Sequence, residues 1–217
     1  MGRKTSAVSI IGGADGPTSV FLAGKTKGKR SIRRRFQEYF YRKRKERIKR
    51  RIHAGSHTLA ETISYIEEKY HGTEVSQESY NYAEQRNCLR ESLILTRQPE
   101  LLGDLAKISS PENFDEEAVK EFLQKQKLRS ERVRSMGEEK FPLDYHLYEF
   151  PVVEGGKIEV MAEFNWKQFG VSYSGDKRLR KRMRKIFREI YLYYGVSEED
   201  IRVQSERYSA LVAALCM

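Results

Sequence analysis

The sequence predicts an α+β fold that is mainly helical, with a C-terminal β-hairpin packed on a basic helix and a small N-terminal strand-turn-strand element. Three observations carry this reading. Helix start and stop signals recur through the middle of the chain. An alternation of apolar and polar residues sets in after Pro142, and a cluster of Gly, Asp and Pro separates two strand-favouring runs near the start. The chain accordingly divides into a Gly-rich motif at 1–24, a helical region with a basic first helix at 25–137, and a hairpin with a basic amphipathic helix and a terminal helix at 138–217.

Residues 6–11 are rich in β-branched and apolar types, 12–17 carry turn chemistry, and 18–22 again favour a strand, which together read as a hairpin. A strand followed by a short helix, with Pro17 at its first position and Gly24 past its end, fits the same residues. Ser31 caps a helical segment to about Ile52, in which Ile32, Phe36, Phe40, Ile48 and Ile52 form an apolar row among many Arg and Lys. Thr58 and Glu61 match a capping box, in which hydroxyl and carboxylate satisfy each other's orphan amides, so a helix over 59–70 follows, with Gly72 as its stop.

Ser76 opens a helix through Tyr80, Ala83, Leu89 and Leu93 to Arg97, ahead of Pro99. Asn113 to Glu116 repeats the capping logic for a helix through Val119, Phe122 and Leu123 to about Ser135, closed by Gly137. Beyond Pro142 the period changes. Ile158, Val160, Ala162 and Phe164 alternate with Glu159 and Glu163, and Phe169, Val171 and Tyr173 continue the pattern on a second strand. Leu179, Met183, Ile186, Phe187, Ile190 and Tyr194 then recur at helical spacing up to Gly195, and Ser197 with Asp200 starts the final helical piece.

With 39% hydrophobic residues in 217, the chain can build a core, yet no run approaches the roughly 18 apolar residues a membrane helix needs. The longest candidate, 210–217, is too short, which excludes an integral membrane transporter. The basic start runs into Gly and Asp instead of a long apolar segment, so no signal peptide is read. Two distant cysteines, Cys88 and Cys216, do not make a disulfide framework, and a reducing cytoplasm is the expected setting.

The net charge of +10 is strongly segregated. Residues 25–52 carry 15 Lys and Arg against Glu38 and Glu46, and residues 177–188 carry 8 basic residues and no acidic one. The remainder is therefore acidic by 11 charges, an acidic body with two cationic segments, and such segregation points to anionic partners. The candidate polyanion-binding residues are Arg33, Arg34, Arg35, Arg42, Lys43 and Arg44 on the first helix. Arg178, Lys181, Arg182, Lys185 and Arg188 stand on the second, opposite its apolar row. Phe36, Tyr39, Phe40 and Tyr41 could stack on exposed bases, or belong to the core while the cations pair with the acidic body.

Other chemistry is poorly represented. Residues 19–26 end in the Gly-Lys-Thr of a phosphate-binding loop, but Ser19 replaces its first glycine and Val20 to Ala23 is apolar where amides must curl around phosphate. His53 and His57 have helical ligand spacing, interrupted by Gly55, while His71 and His146 show no companion ligands. Cys88 reads as packing, and no carboxylate pair stands out as acid and base, so no catalytic residue, metal or cofactor is expected.

The stretch Ile11-Gly12-Gly13-Ala14-Asp15-Gly16-Pro17-Thr18, with Ser19, Val20 and Phe21, resembles a signature of the beta subunit of sodium-ion-translocating decarboxylases. In that family the beta subunit is a polytopic membrane protein that couples decarboxylation of a carboxybiotin carrier to sodium export, and the aspartate matching Asp15 lies in the ion path. The resemblance covers about 17 residues, and without membrane spans it implies no pumping here. It leaves a local expectation of a cation or small acidic ligand held by Gly12, Gly13, Asp15, Gly16 and Thr18, beside the plainer reading of an Asp-Gly-Pro turn. The leading functional expectation is a binding protein whose basic helices engage nucleic acid or another polyanion. A decarboxylase-motif protein that binds without transport and a protein-protein adaptor with an acidic partner surface are the alternatives.

Overall fold

A computed structural model of the chain describes residues 32–111, 115–153, 155–175 and 178–217. The Gly-rich element at 1–24, with Gly12, Gly13, Asp15, Gly16 and Thr18, lies outside them. In chain order the elements are α1 (Ile32–Lys49), β1 (Gly55–Ser56), α2 (Leu59–Tyr70), β2 (Thr73–Glu74), α3 (Tyr80–Arg97), α4 (Glu116–Ser135), β3 (Tyr145–Val153), β4 (Gly156–Glu163), β5 (Gln168–Gly175), α5 (Arg180–Tyr194), β6 (Gly195–Val196), α6 (Glu198–Val203) and α7 (Glu206–Cys216), with 3-10 turns at Pro99–Lys107 and Glu138–Lys140. The fold is α+β and mainly helical, as the sequence predicts.

Local chemistry sets most of the boundaries. Thr58 and Glu61 form the expected capping box, and Ser197 with Asp200 forms a second one. Asp115 caps α4 by accepting from the Ala118 amide at 2.8 Å. Helix α3 is capped by Ser79, three residues later than the cap at Ser76 that the sequence predicts. The hydroxyl of Ser76 is engaged by the Glu78 amide and its carbonyl by the Ser79 amide, a local turn that leaves Ser79 to accept from Tyr82.

The described residues form two compact units that interleave along the chain, one comprising 76–143 and the other 32–75 with 144–217. The sequence reading draws its boundaries at 24/25 and 137/138 instead. The first unit packs α3 against α4 and the Pro99–Lys107 turns around Tyr82, Leu93, Ile94, Leu102, Val133 and Met136. Burial on α3 includes Arg90, whose guanidinium reaches the carbonyls at the end of α4. It donates to Met136 O at 2.9 Å, Gly137 O at 2.8 Å and, at 3.4 Å, Val133 O. Cross-helix pairs flank it: Glu91 accepts from Arg129 and Ser130 at 2.6 Å, and Glu84 from Arg134 at 2.6 Å.

The second unit is built on an antiparallel sheet of order β2-β3-β4-β5. The expected hairpin is β4-β5, and β3 and β2 extend it. The register sets Tyr148 against Val160 and Phe150 against Ile158, and the next strand continues with Val171 and Tyr173. This face is covered by Ile63 and Ile66 of α2 and Ile190 of α5, so the hairpin packs on the basic helix. A second cluster joins Phe187 and Tyr191 of α5 to Tyr208, Leu211 and Val212 of α7, with Ile48 and Ile52 packed beside it. The docking of Ile48 and Ile52 fixes α1 on α7. Among the described residues no helix is long and apolar enough to cross a membrane.

Candidate nucleic-acid interface

Helix α1 is made of strong helix formers, with nine Lys and Arg and two Glu in 18 residues. Its first turn contains no acidic residue to offset the positive end of the helix dipole, while Arg34 and Arg35 stand close by. This is an unfavourable arrangement for an isolated helix and a favourable one for meeting an anion. Of the residues expected there, Arg34, Arg35, Arg42, Lys43 and Arg44 are exposed, and the side chain of Arg33 lies outside the described set.

The aromatic residues of α1 are not core. Phe36 is 58%, Tyr39 40%, Phe40 63% and Tyr41 52% exposed. Tyr39 and Phe40 meet edge to face at 5.7 Å between centroids, and the Lys43 ammonium sits 4.8 Å from the centre of the Tyr39 ring. The apolar row thus has two parts: Ile48 and Ile52 dock on the body, and Phe36 and Phe40 continue it into solvent.

Helix α5 buries Met183, Phe187, Ile190, Tyr191 and Tyr194 and exposes Lys181, Arg182 and Lys185. Arg178, just before it, is exposed, and Arg188 is half-buried with an Nε atom that has no hydrogen-bond partner among the described residues. On α1, Arg34 pairs with Glu38 at 3.3 Å and Lys49 with Glu46 at 3.4 Å, both within the helix. Among the described residues Arg42, Lys43, Lys181, Arg182 and Lys185 make no ion pair.

The two basic helices meet at a cleft of about 900 Å³ between α1, α5 and α7. Lys43, Arg44 and Arg188 are brought together there; Arg34, Arg35, Arg178, Lys181, Arg182 and Lys185 do not line it. Arg47 and Arg51 line it as well, residues the sequence reading does not single out although they continue the four-residue spacing from Lys43. Arg44 is anchored by donating to Leu215 O at 3.3 Å.

The remaining candidates settle into structural roles. His57 stacks on Tyr193 with ring centres 4.0 Å apart, and Gly55 belongs to β1, so the spacing of His53 and His57 is not helical. His71 is the left-handed C-cap of α2. His146 does have companions that the sequence does not reveal, Glu74 at 2.6 Å on Nδ1 and Asp144 at 3.0 Å on Nε2. Among the described residues no group of three or more His, Cys, Asp or Glu is placed to hold a metal ion. Cys88 and Cys216 are free thiols; Cys216 is buried, whereas Cys88 is exposed and does not pack as the sequence reading has it, and partial desolvation, with Glu84 and Glu91 nearby, pushes its thiol up, away from the reactive thiolate.

No family model, curated protein or solved structure matches the chain.

Proposed function

We propose that the protein binds nucleic acid, with α1 and the exposed face of α5 contacting phosphates and the aromatic residues of α1 stacking on unpaired bases. The observation that carries this reading is the exposure of Phe36, Tyr39, Phe40 and Tyr41 on a helix bearing nine Lys and Arg. Cations alone suit any polyanion. Interleaved solvent-facing rings suit one whose bases offer π-faces, and stacking of this kind contributes about 1–3 kcal/mol per base. Unpaired Lys181, Arg182 and Lys185 extend the cationic surface to a second helix, where phosphate contact would release counterions.

The test is fluorescence anisotropy of a mixed-sequence single-stranded oligonucleotide over a salt series. Each cation that contacts phosphate should contribute about 0.7 to the log-log salt slope, so R182E/K185E should weaken binding and flatten its salt dependence. No binding at low salt would overturn the proposal. Anionic vesicles at matched salt are the counter-probe, and tighter association with them than with the oligonucleotide would assign the surface to a membrane instead.

A further inference from the structure

We propose that the cleft between α1, α5 and α7 is a binding site for a single-chain aliphatic anion, a ligand with an apolar chain and a carboxylate or phosphate head. The inference goes beyond nucleic-acid binding, because the lining suits a different ligand. Ile48, Ile52, Leu192, Leu211 and Leu215 supply an aliphatic surface with Phe40 as its aromatic member. Leu192 is 56% exposed, an apolar side chain held at the surface of an otherwise cationic helix face. Nucleobases favour aromatic platforms; a surface of branched aliphatic side chains favours a hydrocarbon chain.

The charged part of the lining has one sign. Lys43, Arg44, Arg47, Arg51 and Arg188 border the cleft, and among the described residues no Asp or Glu does. Lys43 and Arg47 stand four residues apart on α1, roughly 6 Å along its axis, and Arg51 follows in the turn just beyond its end. On the α5 side of the cleft, the Arg188 Nε atom is hidden from solvent with no hydrogen-bond acceptor among the described residues. A buried donor left unsatisfied is costly, and an anionic head at this position would supply its acceptor. The volume of about 900 Å³ lies within the range of small-molecule sites.

The experiment is isothermal titration of the full chain, below micelle-forming concentrations, with dodecanoate, dodecyl phosphate, a neutral dodecyl glycoside and inorganic phosphate. Either anionic amphiphile should bind at least about tenfold more tightly than the glycoside or inorganic phosphate, and the ratio between the two identifies the head group. L192D, which sets a carboxylate on the apolar surface, and R188M should each weaken binding about tenfold. K181E, on α5 but outside the cleft, should leave this affinity unchanged while weakening the oligonucleotide, so the two sites are separable. Thermal melts of each variant check that the fold is retained. Equal binding of the neutral glycoside, or equal binding of inorganic phosphate, would overturn the site. Unaltered amphiphile affinity in folded L192D and R188M would do so too.

Discussion

The imidazole Nδ1 of His146 lies 2.6 Å from the carboxylate of Glu74, a pairing created by the register of β2 on β3. Glu74 stands opposite Tyr148, so on the same face it is diagonal to His146, two residues along. Asp144 meets the other ring nitrogen at 3.0 Å, and with a carboxylate at each nitrogen the doubly protonated imidazolium is the form that satisfies both.

This arrangement makes stability depend on pH with a definite sign. Burial opposes the charge on His146, but the hydrogen bonds to Glu74 and Asp144 outweigh it and raise the imidazolium above its ordinary value of about 6.5. A group whose folded value is raised stabilises the fold fully below its unfolded value and loses that contribution as pH rises through the folded one. Urea unfolding at successive pH values should show stability falling from about 6.5 upward in the native protein, with a smaller fall in His146→Gln. The same slope in both would refute the assignment.

The Arg90 guanidinium should be the most sensitive polar group of the helical unit. Its donors serve the carbonyls of Met136 and Gly137, and all three carbonyls at the end of α4 lose a buried partner in Arg90→Met. Val133 O and Gly137 O keep the Met136 and Lys140 amides, whereas Met136 O loses its donor; one unsatisfied buried acceptor costs about 1–3 kcal/mol, so the variant should lose about that much in chemical denaturation. Arg90→Lys keeps the charge but not the fork, and should fall between the two. A loss below about 0.5 kcal/mol in Arg90→Met would show that water replaces the guanidinium without penalty.

Much of this architecture was legible because local rules and the tertiary fold agree. The Thr58-Glu61 box marks the start of α2, and Ile158, Val160 and Ala162 alternate as a strand that is buried on that face. Strand β3 carried no such signal: Tyr145 and Leu147 are buried on one side and Tyr148 and Phe150 on the other, which erases alternation, and Pro151 reads against a strand. Two-residue strands such as β1 and β6 have no period to detect. The cationic residues of α1 and α5 were visible as charge, whereas the cleft was not, because Ile48, Leu192 and Leu215 come together only when three distant helices pack. Phe36 and Phe40 have the spacing of core residues, and only the packed structure distinguishes them from Ile48 and Ile52.

Gly195 is a fixed point of that packing. Its φ of 60° and ψ of −161° lie in a region open essentially to glycine, and a Cβ there would stand 1.8 Å from Gly55 O across the β1-β6 pair. Arg207 clamps the same turn, donating to Gly195 O and His57 O at 2.8 Å while stacking 3.6 Å over the Tyr194 ring. Gly195→Ala should therefore cost more than about 3 kcal/mol, backbone strain plus a clash with another backbone. Gly55→Ala, where a Cβ meets nothing within 4 Å, should be nearly neutral. Comparable thermal melting of the two variants would contradict the geometry of the turn.

Charge and stacking on α1 should separate in binding data. Phe36→Ala with Phe40→Ala removes two exposed rings without touching the core, so folding stability should change by less than about 0.5 kcal/mol. If the rings stack on bases, single-stranded oligonucleotide affinity should fall by about 2–4 kcal/mol, with the salt slope unchanged because no phosphate contact is lost. Duplex of the same sequence should bind native protein and variant alike, since its bases are already stacked on one another. Arg35→Glu with Arg42→Glu should behave in the opposite way, weakening single strand and duplex together and flattening the salt dependence of both. If the ring variant weakened duplex as much as single strand, the aromatic residues would be shaping the helix rather than reading unpaired bases.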